Sequence, residues 1–422
     1  MKVAVVGAGS TYTPELVDGL MRHRSRLPVD RLSLIDPDER RLSILSGFVA
    51  RIADAAETRI AIEPTTRLDD GVRDAALVFS QFRVGGQAAR HGDETLGRRF
   101  GIVGQETTGV GGLAKGLRTI PVALEVQAAV AAHARPGAWL INFTNPAGMV
   151  TEALLSYGVG HPPRVVGLCN FPWTLRAQLG KALGAPVDQV DLDYVGLNHL
   201  SWVRNVMVSD QPCFETARTA WRTGRDAPFA AELLDDVELI LNPYLQYYYE
   251  TGRLLDHQRN SPTRAEEVAT IEAELLRTYA DPSTTWTPTL LSQRGGASYS
   301  VAAAALAADL CGGSGSHHVV NVRNGAAIPG LPDDAVVETT AWASPEGVRP
   351  RPTAALTEPM RGLANQIKDY ERYAIAAAVS GDVRAARMAL LTHPLCPDAT
   401  TAPRLLDDLL ATNRQWLQAF AA

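Results

Sequence analysis

Cysteine is scarce in this chain: there are four in 422 residues, scattered at positions 169, 213, 311 and 396. So few and so widely spaced, they exclude a disulfide framework and favour a reducing, cytoplasmic setting. A basic excess is also missing, since 40 Lys and Arg stand against 46 Asp and Glu for a net charge of −6. That balance argues against nucleic acid or an anionic membrane as a general partner and leaves room only for a local basic pocket around a small anion. The opening MKVAVVGAGS breaks at a glycine turn before reaching the length of a signal-peptide core or a membrane span, and no other segment is long and apolar enough to span. Internal repeats, low-complexity tracts and long linkers are lacking too. What is present is an ordinary globular composition, 46% hydrophobic and 20% charged, in a chain long enough for two or three domains.

Lys2–Val6 is β-branched and nearly all apolar, as a central parallel strand with both faces covered must be. It runs into Gly7-Ala8-Gly9-Ser10, and residues 14–22 then read as a helix. Glycines in such a turn let the backbone approach a pyrophosphate, whose charge the free amides of the helix N-terminus stabilise. Tyr12 stands where the usual fingerprint has a third glycine. A second strand, Arg31–Ile35, ends at Asp36, an acid that can accept both ribose hydroxyls and repel a 2′-phosphate, which favours NAD over NADP. The plainer alternative has Asp36 only capping the next helix. The glycine turn, two strands and the acid in order favour dinucleotide binding.

A strand at 75–81 is followed by Arg83 and Arg90, read as two arginines in a loop, which sit where open sheets bind ligands and could grip a phosphate or polarise a substrate. Residues 101–121 are glycine-rich and polar, as expected of a loop packed on a ligand, and Glu106 is their only carboxylate. A helix at 122–134 precedes a strand at 139–143 that ends in Thr144-Asn145-Pro146, similar to the turn carrying nicotinamide and substrate contacts in lactate and malate dehydrogenases. After a helix at 149–157, a strand at 164–168 leads to Cys169, and another at 190–197 leads to His199. A thiolate and an imidazole, each after a strand and behind a nucleotide fold, read as a metal site.

Beyond it, helices are expected at 226–241, 266–279, 297–310, 363–379 and 402–420, with strands at 319–323 and 334–340 and a hairpin turn at Asn324-Gly325 leading into 326–328. Four tyrosines between 244 and 249 are most simply core aromatics, with Tyr244 nearest a proline-marked break. The expected fold is α/β with lactate/malate dehydrogenase-like architecture. A Rossmann-type doubly wound, NAD-binding domain spans 1–165, and a helix-rich α+β domain for metal and substrate spans 166–422.

In this order the chain carries GAGSTYTPEL, VGQETTGVGG, INFTNPAG, GLCN, GLNHLSW, PYLQYYY, SPTRAEEV and NVRNGAAIPGLPDDAVVE. In them it resembles glycoside hydrolase family 4, most closely the members that act on 6-phospho-β-glucosides. The resemblance implies that Cys169 and His199 ligate a divalent metal, normally manganese, and that Gly7, Gly9, Ser10 and Asp36 lie on the NAD site. It implies that Tyr244 removes the proton from carbon 2 of the sugar and that Arg264, 264 − 244 = 20 residues on, is a substrate-site arginine. Arg90, Glu106 and Asn145 fall on substrate-pocket positions, and Asn170 stands where members acting on α-linkages tend to carry Asp, which points to a β-glycoside. The implied reaction departs from the two-carboxylate chemistry of most glycosidases. It runs by oxidation at carbon 3, proton removal at carbon 2, elimination, water addition and re-reduction. A free tyrosine, with a pKa of about 10, is a poor base at neutral pH, and the metal with Arg264 assisting is expected to lower that value. Recognition of a 6-phosphate and assembly as a homodimer or homotetramer rest on the resemblance alone. A hydroxy-acid dehydrogenase, a non-catalytic NAD sensor and a family member acting on an unphosphorylated or α-linked glycoside stay open as alternatives.

Overall fold

The computed structural model describes residues 1–160, 164–224, 228–294, 299–313, 315–396 and 398–420. Strand β1 (Lys2–Val6) sends Val3 and Val5 into one hydrophobic core and Ala4 and Val6 into another, so the sheet is covered on both faces. Strands β2 (Arg31–Ile35), β3 (Ala61–Thr65), β4 (Leu77–Ser80), β5 (Trp139–Asn142) and β6 (Val165–Gly167) join it in parallel, in the order β6-β5-β4-β1-β2-β3. Helices Thr13–Arg22, Glu39–Ala55 and Tyr299–Cys311 cover one face; Gly109–His133, Ala147–Tyr157 and Glu358–Ser380 cover the other. This is the expected doubly wound α/β arrangement.

The chain then builds a small antiparallel sheet from β7 (Val190–Leu197), β8 (Leu200–Val208), β9 (Gln211–Pro212) and β10 (Ile240–Leu241), with its own core around Leu192, Tyr194, Val206 and Trp221. Strands β11 (Ser316–Arg323), β12 (Val336–Ser344) and β13 (Gly347–Pro350) return to the first sheet and extend it antiparallel beyond β6 to nine strands.

Several expectations change. Arg90 lies not in a loop but on helix Gly86–Arg99, and the helix expected over 402–420 ends at Asn413 and gives way to 3₁₀ turns. Residues 101–121 are not one loop, because a helix begins at Gly109 and runs through Pro121 to His133. Its glycines let it lie against its own entry segment: a Cβ on Gly111 would meet Gln105 O at 2.2 Å, and one on Gly112 would meet the Thr107 carbonyl carbon at 2.7 Å. That close packing outweighs a glycine cost of about 1 kcal/mol per residue. Asn324-Gly325 does not turn a hairpin into 326–328. The Asn324 side chain instead holds the following loop, accepting from Ile328 N and donating to the carbonyls of Ile328 and Leu331. The helix expected at 226–241 is a short one, Ala231–Val237, followed by β10. The expected starts of that helix and of the one at 297 lie outside the described residues.

Candidate active site

Parallel pairing sets Ser80, Asn142 and Gly167 side by side at the ends of β4, β5 and β6, so the loops after them open on one carboxyl edge. Ligands of open α/β sheets bind there. The loop after β6 carries Cys169, with Asn170 at the N-cap of helix Phe171–Leu183 and the amides of Asn170 and Phe171 directed at the sulfur. Opposite it, the two-residue turn between β7 and β8 presents His199 at φ 63°, a left-handed position that a non-glycine residue holds at a cost. Behind β10, Asn242 accepts from Tyr244 N at 3.0 Å and so caps the single 3₁₀ turn Pro243–Leu245.

These three elements converge. Cys169 Sγ lies 3.6 Å from His199 Nε2, and the Tyr244 ring stacks on the imidazole with centroids 3.8 Å apart and planes 3° from parallel. Cys169 and His199 are buried and Tyr244 is half-buried, and their protonation states follow. Burial pushes the Cys169 thiol up to about 12, the His199 imidazole down to about 3 and the Tyr244 phenol above its ordinary value. The cation that works against burial at Tyr244 is Arg90. Arg264 does not take the expected assisting part. It is 41% exposed at the start of helix Arg264–Ala280, pairs there with Glu267 at 2.7 Å and donates to Gln293 O of the 3₁₀ segment Thr289–Arg294.

Thr107 decides the tautomer of His199. Its single hydroxyl proton goes to Gln105 Oε1 at 2.7 Å, an oxygen that also receives Thr107 N and Thr108 N. Thr107 Oγ1 must therefore accept from His199 Nδ1–H, 2.9 Å away, which leaves the Nε2 lone pair facing the Cys169 sulfur. A neutral imidazole lone pair and a sulfur that can ionise to thiolate, 3.6 Å apart, can ligate one divalent ion, since bonds of about 2.0–2.3 Å set two ligands roughly 3–4 Å apart, and oxygen or water ligands in the remaining positions would suit manganese. Among the described residues no third His, Cys, Asp or Glu joins them, so the pair would leave most positions of such an ion open.

Beside this corner Glu106 is buried against three cations. Arg83 bonds its carboxylate, Lys115 Nζ lies 2.6 Å away and Arg90 Nη2 3.3 Å away. Burial alone would raise its pKa, but the three cations hold it well below the carboxylate range. Lys115, sharing one carboxylate with two guanidiniums, is instead pushed by burial and by Arg83 down to about 7. Arg90 also pairs with Glu94 at 2.8 Å. Asn145 Oδ1 accepts from Ala147 N at the start of its helix.

The glycine turn lies farther along the same edge, at β1 and β2. Gly7 has φ 87° with the Phe82 backbone 2.6 Å from where a Cβ would be, and Gly9 N donates to Asp36 Oδ2 at 2.8 Å. A Cβ on Gly9 would stand 2.8 Å from that carboxylate, so the turn is a cradle only glycine leaves open. Ser10 Oγ accepts from Tyr12 N, Thr13 N donates to Ser10 O at 3.0 Å and Pro14 has no N–H, so the approach to a ligand here is over the glycine turn itself. Residues and backbone here fit a dinucleotide phosphate.

Sequence reasoning passed over Gln105, Thr107, Lys115, Asn198 and Glu338. The first three stand in or just after VGQETTGVGG, but their roles depend on partners about 90 residues away or on burial. Glu338 is 1% exposed, and burial raises its carboxyl to about 7 against donors on three other strands and turns.

Two family models match the chain: family 4 glycosyl hydrolase over residues 2–185, and the family 4 glycosyl hydrolase C-terminal domain over residues 194–396. A probable 6-phospho-β-glucosidase of Bacillus subtilis is 38% identical over 435 residues, covering 100% of this chain and 98% of that protein. The 6-phospho-β-glucosidase of Thermotoga maritima, solved with manganese, NAD+ and glucose-6-phosphate, superposes with a TM-score of 0.92 at 35% identity, covering 99% of each chain. A lactate dehydrogenase from a deep-sea metagenome library, 14% identical with a TM-score of 0.57 over 90% of this chain and 98% of its own, shares the fold, as the lactate dehydrogenase-like architecture requires.

Proposed function

The chain belongs to family 4 of the glycosyl hydrolases, and from that premise we propose that it is an NAD- and divalent-metal-dependent 6-phospho-β-glucosidase that releases glucose 6-phosphate and an alcohol. The observation that carries the reading is the contact of Cys169, His199 and Tyr244 at the carboxyl edge of a dinucleotide-type sheet. We divide the work as residues 1–165 for NAD and 166–422 for metal and most substrate contacts. Cys169 and His199 would hold the ion, with manganese supported by the Thermotoga relative. Gly7, Gly9, Ser10 and Asp36 would hold NAD.

When bound, NAD supplies a hydride acceptor and later a donor at carbon 3, and the ion supplies positive charge where negative charge develops on the oxidised sugar. Tyr244 takes the carbon-2 proton, acidic beside the new ketone, and its stacking on His199 fixes where the phenol oxygen points. Arg90 favours the phenolate and, with Glu106, orients sugar hydroxyls. Thr107 keeps the His199 lone pair on Nε2. Asn145, Asn170 and Arg264 are the remaining substrate contacts in this reading, with Asn170 supporting the β-linkage. The alcohol leaves carbon 1 by elimination, water adds to the double bond and the hydride returns, so the net reaction is hydrolysis without redox change. Four free cysteines support a reducing, cytoplasmic location, and assembly as a homodimer or homotetramer belongs to the same reading.

The test compares p-nitrophenyl β-glucoside with its 6-phosphate, each with and without NAD+, manganese and a thiol reductant. Nitrophenol should appear only with the phosphorylated substrate and the full set, with no lasting NADH absorbance. Accumulating NADH would mark a dehydrogenase, and no release in any combination would sink the reading.

A further inference from the structure

The motif NVRNGAAIPGLPDDAVVE ends on a buried carboxylate that no step above employs. Glu338 lies on β12, and every polar neighbour donates to it. Asn198 Nδ2 reaches Oε1 at 2.9 Å, Asn321 Nδ2 reaches the same oxygen at 3.2 Å, and Tyr194 OH reaches Oε2 at 3.0 Å. A fully buried carboxylate surrounded only by donors fixes the orientation of each of them.

The two oxygens lead to different parts of the corner. From Oε1 the path is short: Asn198 precedes His199 in the β7–β8 turn, and its amide also donates toward the Cys169 sulfur, so one side chain holds both candidate ligands. From Oε2 the path runs through Tyr194 OH, which accepts from Ser201 Oγ at 2.6 Å and from Asn242 Nδ2 at 3.2 Å. Asn242 Nδ2 also donates to Ser201 Oγ at 2.8 Å, while its Oδ1 holds Tyr244 N. The residues on this second path are buried, Tyr194 at 1% and Ser201 at 0% exposed, so water does not compete for the bonds.

We propose that Glu338 is a positioning residue that sets the metal-ligand pair and the catalytic tyrosine in register, through Asn198 on one oxygen and through Tyr194, Ser201 and Asn242 on the other. The proposal rests on the reading of Cys169 and His199 as ligands and Tyr244 as base. Its two branches make it separable from a purely structural role. Asn198→Ala cuts the first branch and should weaken manganese affinity about 10- to 100-fold, read by electron paramagnetic resonance or calorimetry without substrate. Tyr194→Phe cuts the second and should leave manganese affinity unchanged. At saturating manganese it should lower kcat with KM held and enlarge the isotope effect on kcat for substrate deuterated at carbon 2, because proton removal becomes slower. Glu338→Gln should do both. If Glu338→Gln does not fold, the Asn198 and Tyr194 variants decide alone. Variants that lose only melting temperature, with metal affinity and isotope effect as in the parent, would overturn the proposal, as would two branches that move both readouts together. A parent protein that neither binds manganese nor shows a carbon-2 isotope effect would instead overturn the underlying reading.

Discussion

The glycine turn proposed for the dinucleotide and the corner proposed for metal and base lie along one sheet edge and are built in opposite ways. The turn is backbone: Gly7, Gly9 and Ser10, closed by Asp36 within 30 residues of chain. The corner is side chains, brought together from residues 105–107, 169, 198–199 and 244. A backbone cradle needs no unusual protonation. The corner does, since burial keeps Cys169 a thiol and Tyr244 a phenol in the metal-free protein.

The largest effect expected falls on the corner alone. Tyr244→Phe should lower kcat by about 10²–10⁴-fold, the usual worth of a general base, with NAD affinity by fluorescence titration unchanged. Parallel loss of NAD binding would mean that the two regions are one folding unit. The reciprocal break is Gly9→Ala, whose methyl meets the Asp36 carboxylate. NAD binding should weaken roughly 10- to 100-fold, equivalent to about 1–3 kcal/mol of steric strain, while manganese affinity stays.

Thr107→Val frees the His199 tautomer and should weaken manganese binding about tenfold. Metal affinity should also rise with pH. The Cys169 thiol, with a pKa of about 12, must lose its proton on binding, and His199, at about 3, has none to lose at neutral pH. Between pH 6.5 and 8.5 the association constant should therefore climb about tenfold per unit. A slope of zero would mean that the thiolate is preformed, and a slope near two that His199 is protonated. The smallest change is expected for Arg264→Ala. Its exposed pair with Glu267 contributes about 0–1 kcal/mol, so melting temperature should hold while KM for the phosphorylated substrate rises. An unchanged KM would remove Arg264 from the pocket.

Much of the fold was legible because it follows from local pattern. Runs such as Lys2–Val6 and Arg31–Ile35 are apolar and β-branched because both faces of the strand are covered, and the turns after them carry their own glycines. The errors came where packing overrode local preference. Gly109–Pro121 looks like loop by composition and is helix because its glycines admit the 105–107 backbone. Asn324-Gly325 looks like a hairpin turn, yet the side chain of Asn324 spends its bonds on the loop that follows.

By itself the sequence determined the parallel strands and helices of the first half that carry their own apolar runs, the glycine cradle with its acid, and the identity of the chemically able residues at 169, 199 and 244. Those depend on residues near one another in the chain, or on residue type alone. Only the tertiary structure decided that Cys169 meets His199, that Tyr244 lies flat on the imidazole beside Arg90 rather than Arg264, and that Thr107 and Glu338 orient them. The reason is physical. Hydrogen-bond direction and pKa are set by what surrounds a buried group, and those surroundings come from strands and turns that neighbour one another only after folding.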